Sequence, residues 1–188
     1  MAFSKKKSSK PRQSQFPKFI HQVVSSATAS PQGREKPSAI PCWKKPGHRK
    51  CPGRIIVSEE KTGEIEWKCP SCRVFGTITG WQGGWADLSD LRMDDGKFHF
   101  EIELSVPDYD RLQKYLSIEP EADLVIYSAI YSQGNVILRA SDFDLKVFAD
   151  ILSFDAVLES KASDSLLLSR VLKGIKVALG EWSTTVPE

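Results

Sequence analysis

Apolar and polar residues alternate from Lys97 onward, which predicts a strand with one buried and one solvated face. The apolar positions run from Phe98 to Val106, whereas His99, Glu101 and Glu103 share the polar face. A histidine beside two carboxylates offers a general acid–base pair, but the polar face of any strand must carry such residues and no nucleophile lies beside them. We therefore interpret these three as surface residues.

The C-terminal half continues with one helix, two strands and two helices. Their predicted ranges are a helix over 108–116, strands over 124–131 and 136–140, and helices over 141–158 and 164–179. The four residues from Ser132 to Asn135 predict a hairpin loop, because Gly and Asn accept a positive φ, and Gly180 is a suitable helix stop. This order predicts an α+β domain over 97–180, with helices on one face of a small sheet.

The N-terminal part shows three kinds of pattern. Five apolar residues between Phe16 and Val24 recur at helical spacing, so a short amphipathic helix over 16–25 is predicted to dock on the rest of the chain. Residues 26–40 are rich in Ser, Pro and Gly and predict a linker. Residues 1–15 predict a disordered basic tail, with a phosphate-contacting arm or a transit peptide as alternatives.

The segment 41–86 contains all four cysteines and four of the five tryptophans of the chain. Three short β-rich stretches, at 54–58, 64–68 and 74–81, lie between and after the cysteine pairs. Two cysteine pairs bridged by a three-stranded meander are typical of a zinc ribbon. We therefore predict a zinc-ribbon-like module over 41–86.

The cysteines follow the order C-x8-C-x17-C-x2-C and predict one structural Zn²⁺ bound by Cys42, Cys51, Cys69 and Cys72. Four thiolates fill a tetrahedral shell and leave no position for an activated water, so a catalytic zinc is not expected. Reduced buried thiols and two disulfides are the alternatives for the four residues. A redox role for the CxxC pair is a third, but no thioredoxin-like pattern surrounds it.

The strings PCWKKPGHRKCPG, WKCPSC and GWQGG begin at Pro41, Trp67 and Gly80. They resemble the zinc-ribbon-like module of an uncharacterised bacterial protein family, and the resemblance extends over about residues 38–180. That family brings no established activity with it. One departure is Arg73, where ribbons commonly have Gly after the CPxC turn; Gly76 is expected to take over part of that role.

Charge divides the chain unequally. Residues 1–54 hold 13 Lys and Arg against Glu35, a net charge of +12, whereas residues 55–188 carry a net charge of −10. A basic loop with interleaved aromatics is typical of nucleic-acid contacts, although small modules also use tryptophans as core. The residues predicted to bind nucleic acid or an acidic protein partner are Trp43, Lys44, Lys45, His48, Arg49, Lys50, Trp81 and Trp85.

These patterns favour a non-enzymatic zinc-ribbon protein that binds nucleic acid or acts as an accessory or regulatory factor. The alternative is a protein interaction module with a purely structural zinc, and an enzyme is the third hypothesis. No apolar run approaches the ~20 residues of a membrane helix, and no secretory h-region is present. We therefore expect a cytoplasmic protein, with self-association through the C-terminal domain as an option.

Overall fold

The computed structural model describes residues 15–92, 100–113, 120–159 and 161–180. Within these ranges the chain forms five helices and seven strands. In chain order they are α1 (Gln15–Thr28), β1 (Lys36–Pro41), β2 (Arg54–Glu59), β3 (Ile65–Lys68), β4 (Phe75–Ile78), β5 (Phe100–Ser105), α2 (Val106–Leu112), α3 (Pro120–Tyr127), β6 (Ile130–Ser132), β7 (Asn135–Ala140), α4 (Asp142–Leu158) and α5 (Ala162–Ala178).

All seven strands join one antiparallel sheet in the order β4-β3-β2-β1-β6-β7-β5. Helices pack on this sheet, so the predicted α+β class is confirmed. The strand at the centre, β1, pairs with β2 on one side and with β6 on the other, where Ser38 lies opposite Ile130. β1 begins at Lys36, inside the segment whose composition predicts a linker. The linker prediction is wrong for residues 26–28, which end α1, and for residues 36–40, because pairing on both sides stabilises a strand that contains two prolines.

The strand predicted over 124–131 is wrong for most of its length. Residues up to Tyr127 belong to α3, and only the last two predicted positions enter β6. Every described side chain of α3 from Leu124 to Tyr127 is buried. A short apolar run that is buried on all sides shows neither the helical nor the strand period of hydrophobic residues. Its β-branched residues therefore wrongly favoured a strand.

The hairpin between β6 and β7 is tighter than predicted. Ser132 and Asn135 pair with each other, which leaves a two-residue turn of Gln133 and Gly134. Both turn residues have positive φ, 49° and 91°, as a type I′ turn requires. β7 then pairs with all of β5, from Phe100 to Ser105; the predicted start of this strand at residues 97–99, including His99, lies outside the described residues.

One core joins α2, α3, α4 and α5 to the sheet. It is built from buried residues of the four helices and from the same-face strand residues Leu104, Val136, Leu138 and Ala140. α4 contributes Phe148 and Leu152, whereas Phe154 of the same helix is exposed. The prediction of α5 is confirmed, and Gly180 follows it with a φ of 72°.

A second core lies between α1 and the strands β1, β2 and β3. The predicted helix over 16–25 is confirmed, and its residues Phe19 and Val23 pack with Ile55, Trp67 and the buried cysteines. Phe19 contacts the ring of Trp67 edge-on, with the ring centroids 5.0 Å apart. The docking of α1 therefore completes the apolar interior that three short strands cannot supply alone.

Arg54 connects the two parts of the molecule. Its guanidinium is buried and makes two hydrogen bonds to the carboxylate of Asp110 in α2, at 2.9 and 3.1 Å. The division into a module over 41–86 and a domain over 97–180 stays a prediction, although one sheet passes through both. Among the residues that the structure describes, no helix combines the length and the apolar character needed to cross a membrane.

Candidate metal centre

The four cysteines meet at one point, and their sulfur atoms all lie within 4.8 Å of one another. Cys42 Sγ is 3.6 Å from Cys72 Sγ, and Cys51 Sγ is 3.8 Å from Cys69 Sγ. A tetrahedral ion with metal–sulfur bonds of about 2.3 Å places its ligands about 3.8 Å apart. A disulfide needs a separation of about 2.05 Å, so neither pair is bonded. The cluster is thus able to hold a metal ion.

One cysteine lies near the end of each of four strands. Cys42 follows β1 and Cys51 precedes β2, while Cys69 follows β3 and Cys72 precedes β4. Backbone hydrogen bonds close both turns: Cys42 N–H donates to the carbonyl of Gly53 at 2.9 Å, and Cys69 N–H donates to that of Val74 at 2.8 Å. The antiparallel register of neighbouring strands therefore brings the two halves of the ligand set together.

Gly53 N–H donates a hydrogen bond to Cys51 Sγ at 3.4 Å. Burial raises the pKa of the Cys42 thiol, and the backbone amide of Lys44 opposes that rise, while the amide of Val74 lowers the pKa of Cys72. Backbone amides that face a sulfur favour a thiolate over a thiol.

Two opposing effects act on the pKa values of the cysteines. Burial raises the pKa of the Cys42 and Cys51 thiols, since a buried thiolate loses its hydration. At Cys72 the N–H of Val74 is the largest influence and lowers the pKa. Several buried thiolates within 4.8 Å also repel one another, and a divalent cation offsets both costs.

Gly53 has no space for a side chain. A Cβ atom there would lie 2.6 Å from Cys69 Sγ and 2.6 Å from Ser71 Oγ. Because the backbone of Gly53 also bonds to Cys42 and Cys51, it contacts both halves of the cluster. Glycine is the residue that allows this close approach.

The turn after Cys72 adopts the conformation that ribbons usually give to glycine. Arg73 has a φ of 59°, in the left-handed region that is costly for a residue with a Cβ. The expectation that Gly76 takes over this role is wrong. Gly76 instead makes room for the ring of Trp67, which would lie 2.8 Å from an added Cβ.

The basic loop, which we define as residues 44–50, is exposed along its whole length. Pro46, Gly47 and His48 form a single 3-10 turn within it, and the side chain of His48 is not part of the sulfur cluster. Four cationic side chains lie in solvent beside the sulfur cluster, those of Lys44, Lys45, Arg49 and Lys50. An exposed loop of one charge sign is accessible to a polyanion.

The tryptophans have three different environments. Trp43 is half-buried, with Phe16 against its edge at 5.4 Å and the Lys44 ammonium 4.3 Å from its ring centroid. Trp81, predicted to bind nucleic acid or a partner, is buried and donates its Nε1–H to Gly63 O at 2.9 Å, so its ring lacks the exposed face that stacking requires. Trp85 is 85% exposed.

A groove of about 420 Å³ lies between α1 and the basic loop and was not predicted from the sequence. Its cationic lining comes from Lys18 of α1 and from Lys45 and Lys50. Among the described residues, buried Trp43 Nε1, whose ring lines this groove, has no hydrogen-bond acceptor. Only a weak indication of this groove is present in the sequence, because Lys18 lies on the polar side of α1, which was predicted only to pack against the rest of the chain.

The polar strand face of the C-terminal half has ordinary partners. Glu101 lies 3.5 Å from Arg139 Nε across the sheet, and Glu103 accepts a hydrogen bond from Asn135. Both glutamates are exposed. In the described part of this face the carboxylates thus make surface interactions with neighbouring strand residues.

Comparison with known proteins finds no matching family model, no matching curated protein and no matching solved structure. The resemblance to a bacterial zinc-ribbon-like family therefore stays a prediction. Functional inference rests on the geometry of the sulfur cluster and of the surfaces beside it.

Proposed function

We propose that the four thiolates hold one Zn²⁺ in a closed structural site and that the protein is a non-enzymatic accessory protein that binds nucleic acid. The observation that supports the metal is the set of four sulfurs within 4.8 Å of one another, with two of the separations at 3.6 and 3.8 Å. Thiolate-only sites select soft or borderline ions, of which Zn²⁺ is the usual structural one. The ion supplies a cross-link between strand ends rather than an open coordination position.

The metal part is tested by elemental analysis of protein purified without chelator. We expect one zinc per chain, and we expect a strong chelator to lower the unfolding temperature steeply, because a structural zinc contributes on the order of 10 kcal/mol. A chain that contains no metal and keeps its unfolding temperature in chelator would refute the site.

The nucleic-acid part is supported by the exposure of the basic loop beside the metal centre. Clustered cations release counterions from a phosphate backbone and so bind it with an affinity that falls as salt rises. The test measures binding of single-stranded and duplex DNA and RNA at low and moderate salt. Replacement of Lys44, Lys45, Arg49 and Lys50 by Gln should weaken binding to every sequence and reduce the salt dependence.

A protein interaction module is the second candidate, and one contact favours it. Arg54 already joins the ribbon strands to the acidic half through Asp110, so basic residues of this segment do pair with carboxylates. Under this candidate, charge reversal in the basic loop leaves nucleic-acid affinity negligible and removes binding of an acidic protein. The two candidates therefore differ in the wild-type affinity for nucleic acid at low salt.

A further inference from the structure

Trp85 presents one face of its indole to solvent and the other to a histidine. The rings of Trp85 and His21 are nearly parallel, with an interplanar angle of 16° and centroids 3.9 Å apart. The His21 ring in turn makes a T-shaped contact with the buried ring of Tyr127, with the ring centroids 5.8 Å apart. The exposed indole is therefore supported from behind by two aromatic rings that reach into the protein.

The loop that carries Trp85 is fixed by its own hydrogen bonds. The carboxylate of Asp87 accepts from Gly83 N–H at 2.9 Å and from Ser89 N–H at 3.0 Å. Ser25 of α1 donates to the carbonyl of Ala86 at 3.0 Å. An aromatic side chain on such a backbone loses little conformational freedom when a ligand stacks on it.

The cationic groove begins one helical turn along α1 from His21. Lys18, which lines it, precedes His21 by three residues on α1, so the two side chains are neighbours on one helix face. Lys45 and Lys50 reach the same groove from the basic loop, and the carboxylate of Asp110 in it is already bound by Arg54. Lys18 in the groove and His21 behind Trp85 thus connect the two parts of this surface along α1.

We propose that this surface binds single-stranded nucleic acid, with a phosphate in the groove lined by Lys18, Lys45 and Lys50 and a neighbouring unpaired base stacked on the outer face of Trp85. The inference rests on the proposed nucleic-acid function and names its site and strand preference. An unpaired base has an open ring face, whereas a base within a duplex is covered by its neighbours. The charge of the groove is complementary to phosphate.

The test compares a labelled single strand of about 15 nucleotides with a duplex of the same length, using the full chain at low salt. Trp85→Ala should weaken binding of the single strand by roughly 5- to 150-fold, the range measured for loss of one stacking contact, and should change duplex binding little. Trp85→Phe should retain most of the affinity. Phe75→Ala is the matched control, because Phe75 is 79% exposed on β4 and does not line the groove.

The phosphate contact is tested separately, by the salt dependence of binding. Lys18→Gln should reduce the slope of log K against log salt for the single strand by about 0.7. Equal affinity of wild type and Trp85→Ala for the single strand would overturn the inference, and equal loss on single strand and duplex would overturn the strand preference. Absence of all binding by the wild type would instead refute the proposed function as well, so the two failures are distinguishable.

Discussion

The substitution Gly53→Ala tests how closely the backbone packs against the sulfur cluster. The added Cβ would lie 2.6 Å from Cys69 Sγ, 2.6 Å from Ser71 Oγ and 2.8 Å from Ser71 Cβ. Ordinary non-bonded contacts are about 3.5 to 4.0 Å, so each of the three is about 1 Å too short. The φ of Gly53 is not in the left-handed region, so the expected effect comes from this overlap alone.

Movement of the backbone does not relieve the overlap without another loss. The carbonyl of Gly53 accepts from Cys42 N–H at 2.9 Å, and its N–H donates to Cys51 Sγ at 3.4 Å. Overpacking of this kind costs about 1 to 3 kcal/mol, and loss of a contact that orients a ligand lowers metal affinity about 10- to 100-fold. We therefore expect both a lower unfolding free energy and weaker metal binding.

The assay is competition for zinc against a chromophoric chelator, together with denaturant unfolding of the zinc-loaded protein. Gly174→Ala, in α5, is the matched control: its Cβ would be 3.8 Å from Ile102 Cγ2 of β5, an ordinary contact, and alanine should stabilise the helix by about 0.5 to 1 kcal/mol. The double variant Gly53→Ala, Ser71→Gly removes two of the three contacts and should recover part of the affinity. Metal affinity of Gly53→Ala within twofold of wild type would refute the reasoning.

Three further predictions concern stability. Arg73→Gly should raise the unfolding free energy by about 0.5 to 1 kcal/mol in denaturant melts, because glycine relieves the left-handed φ of 59° but adds freedom to the unfolded chain, whereas Arg73→Val should lower it. Asp110→Asn should cost about 1 to 3 kcal/mol in the same assay, since it removes the charged partner of the buried Arg54 guanidinium; an unchanged value would contradict this. Burial raises the pKa of Asp123 to about 6, so its ionised form destabilises the fold at neutral pH, and the unfolding free energy should rise as pH falls from about 7 to about 4. Asp123→Asn should flatten that rise and stabilise the protein at pH 7 by about 1 to 2 kcal/mol, a value reduced for partial solvent screening. A pH profile of stability identical to that of the wild type would contradict this prediction.

The clustering of the four cysteines could be predicted from the sequence because its signal is local. The two-residue spacing of Cys69 and Cys72 fixes a turn, and the β-rich stretches between the cysteine pairs fix a hairpin whose register brings the other pair alongside. The helix α1 was readable for a similar reason, as the five apolar residues share one face. In each case neighbouring residues carry enough information.

The features that the sequence did not predict depend on distant parts of the chain. β1 contains Pro37 and Pro41 and becomes a strand only because β2 and β6 pair with it. The groove and the stack on Trp85 arise where α1 meets the basic loop and a glycine-rich loop, and no spacing within α1 indicates either contact. The burial of Trp81 likewise follows from its bond to Gly63.

The central position of β1 has a consequence for the kinetics of folding. Its pairing with β2 joins residues such as Lys36 and Val57, which are close in sequence, whereas Ser38 and Ile130 are separated by most of the chain. Closing the longer loop costs about 1 kcal/mol more in chain entropy. Contacts of long separation tend to form after local ones. Substitutions at Ile130 should thus accelerate unfolding and leave the refolding rate nearly unchanged, whereas those at Val57 should slow refolding.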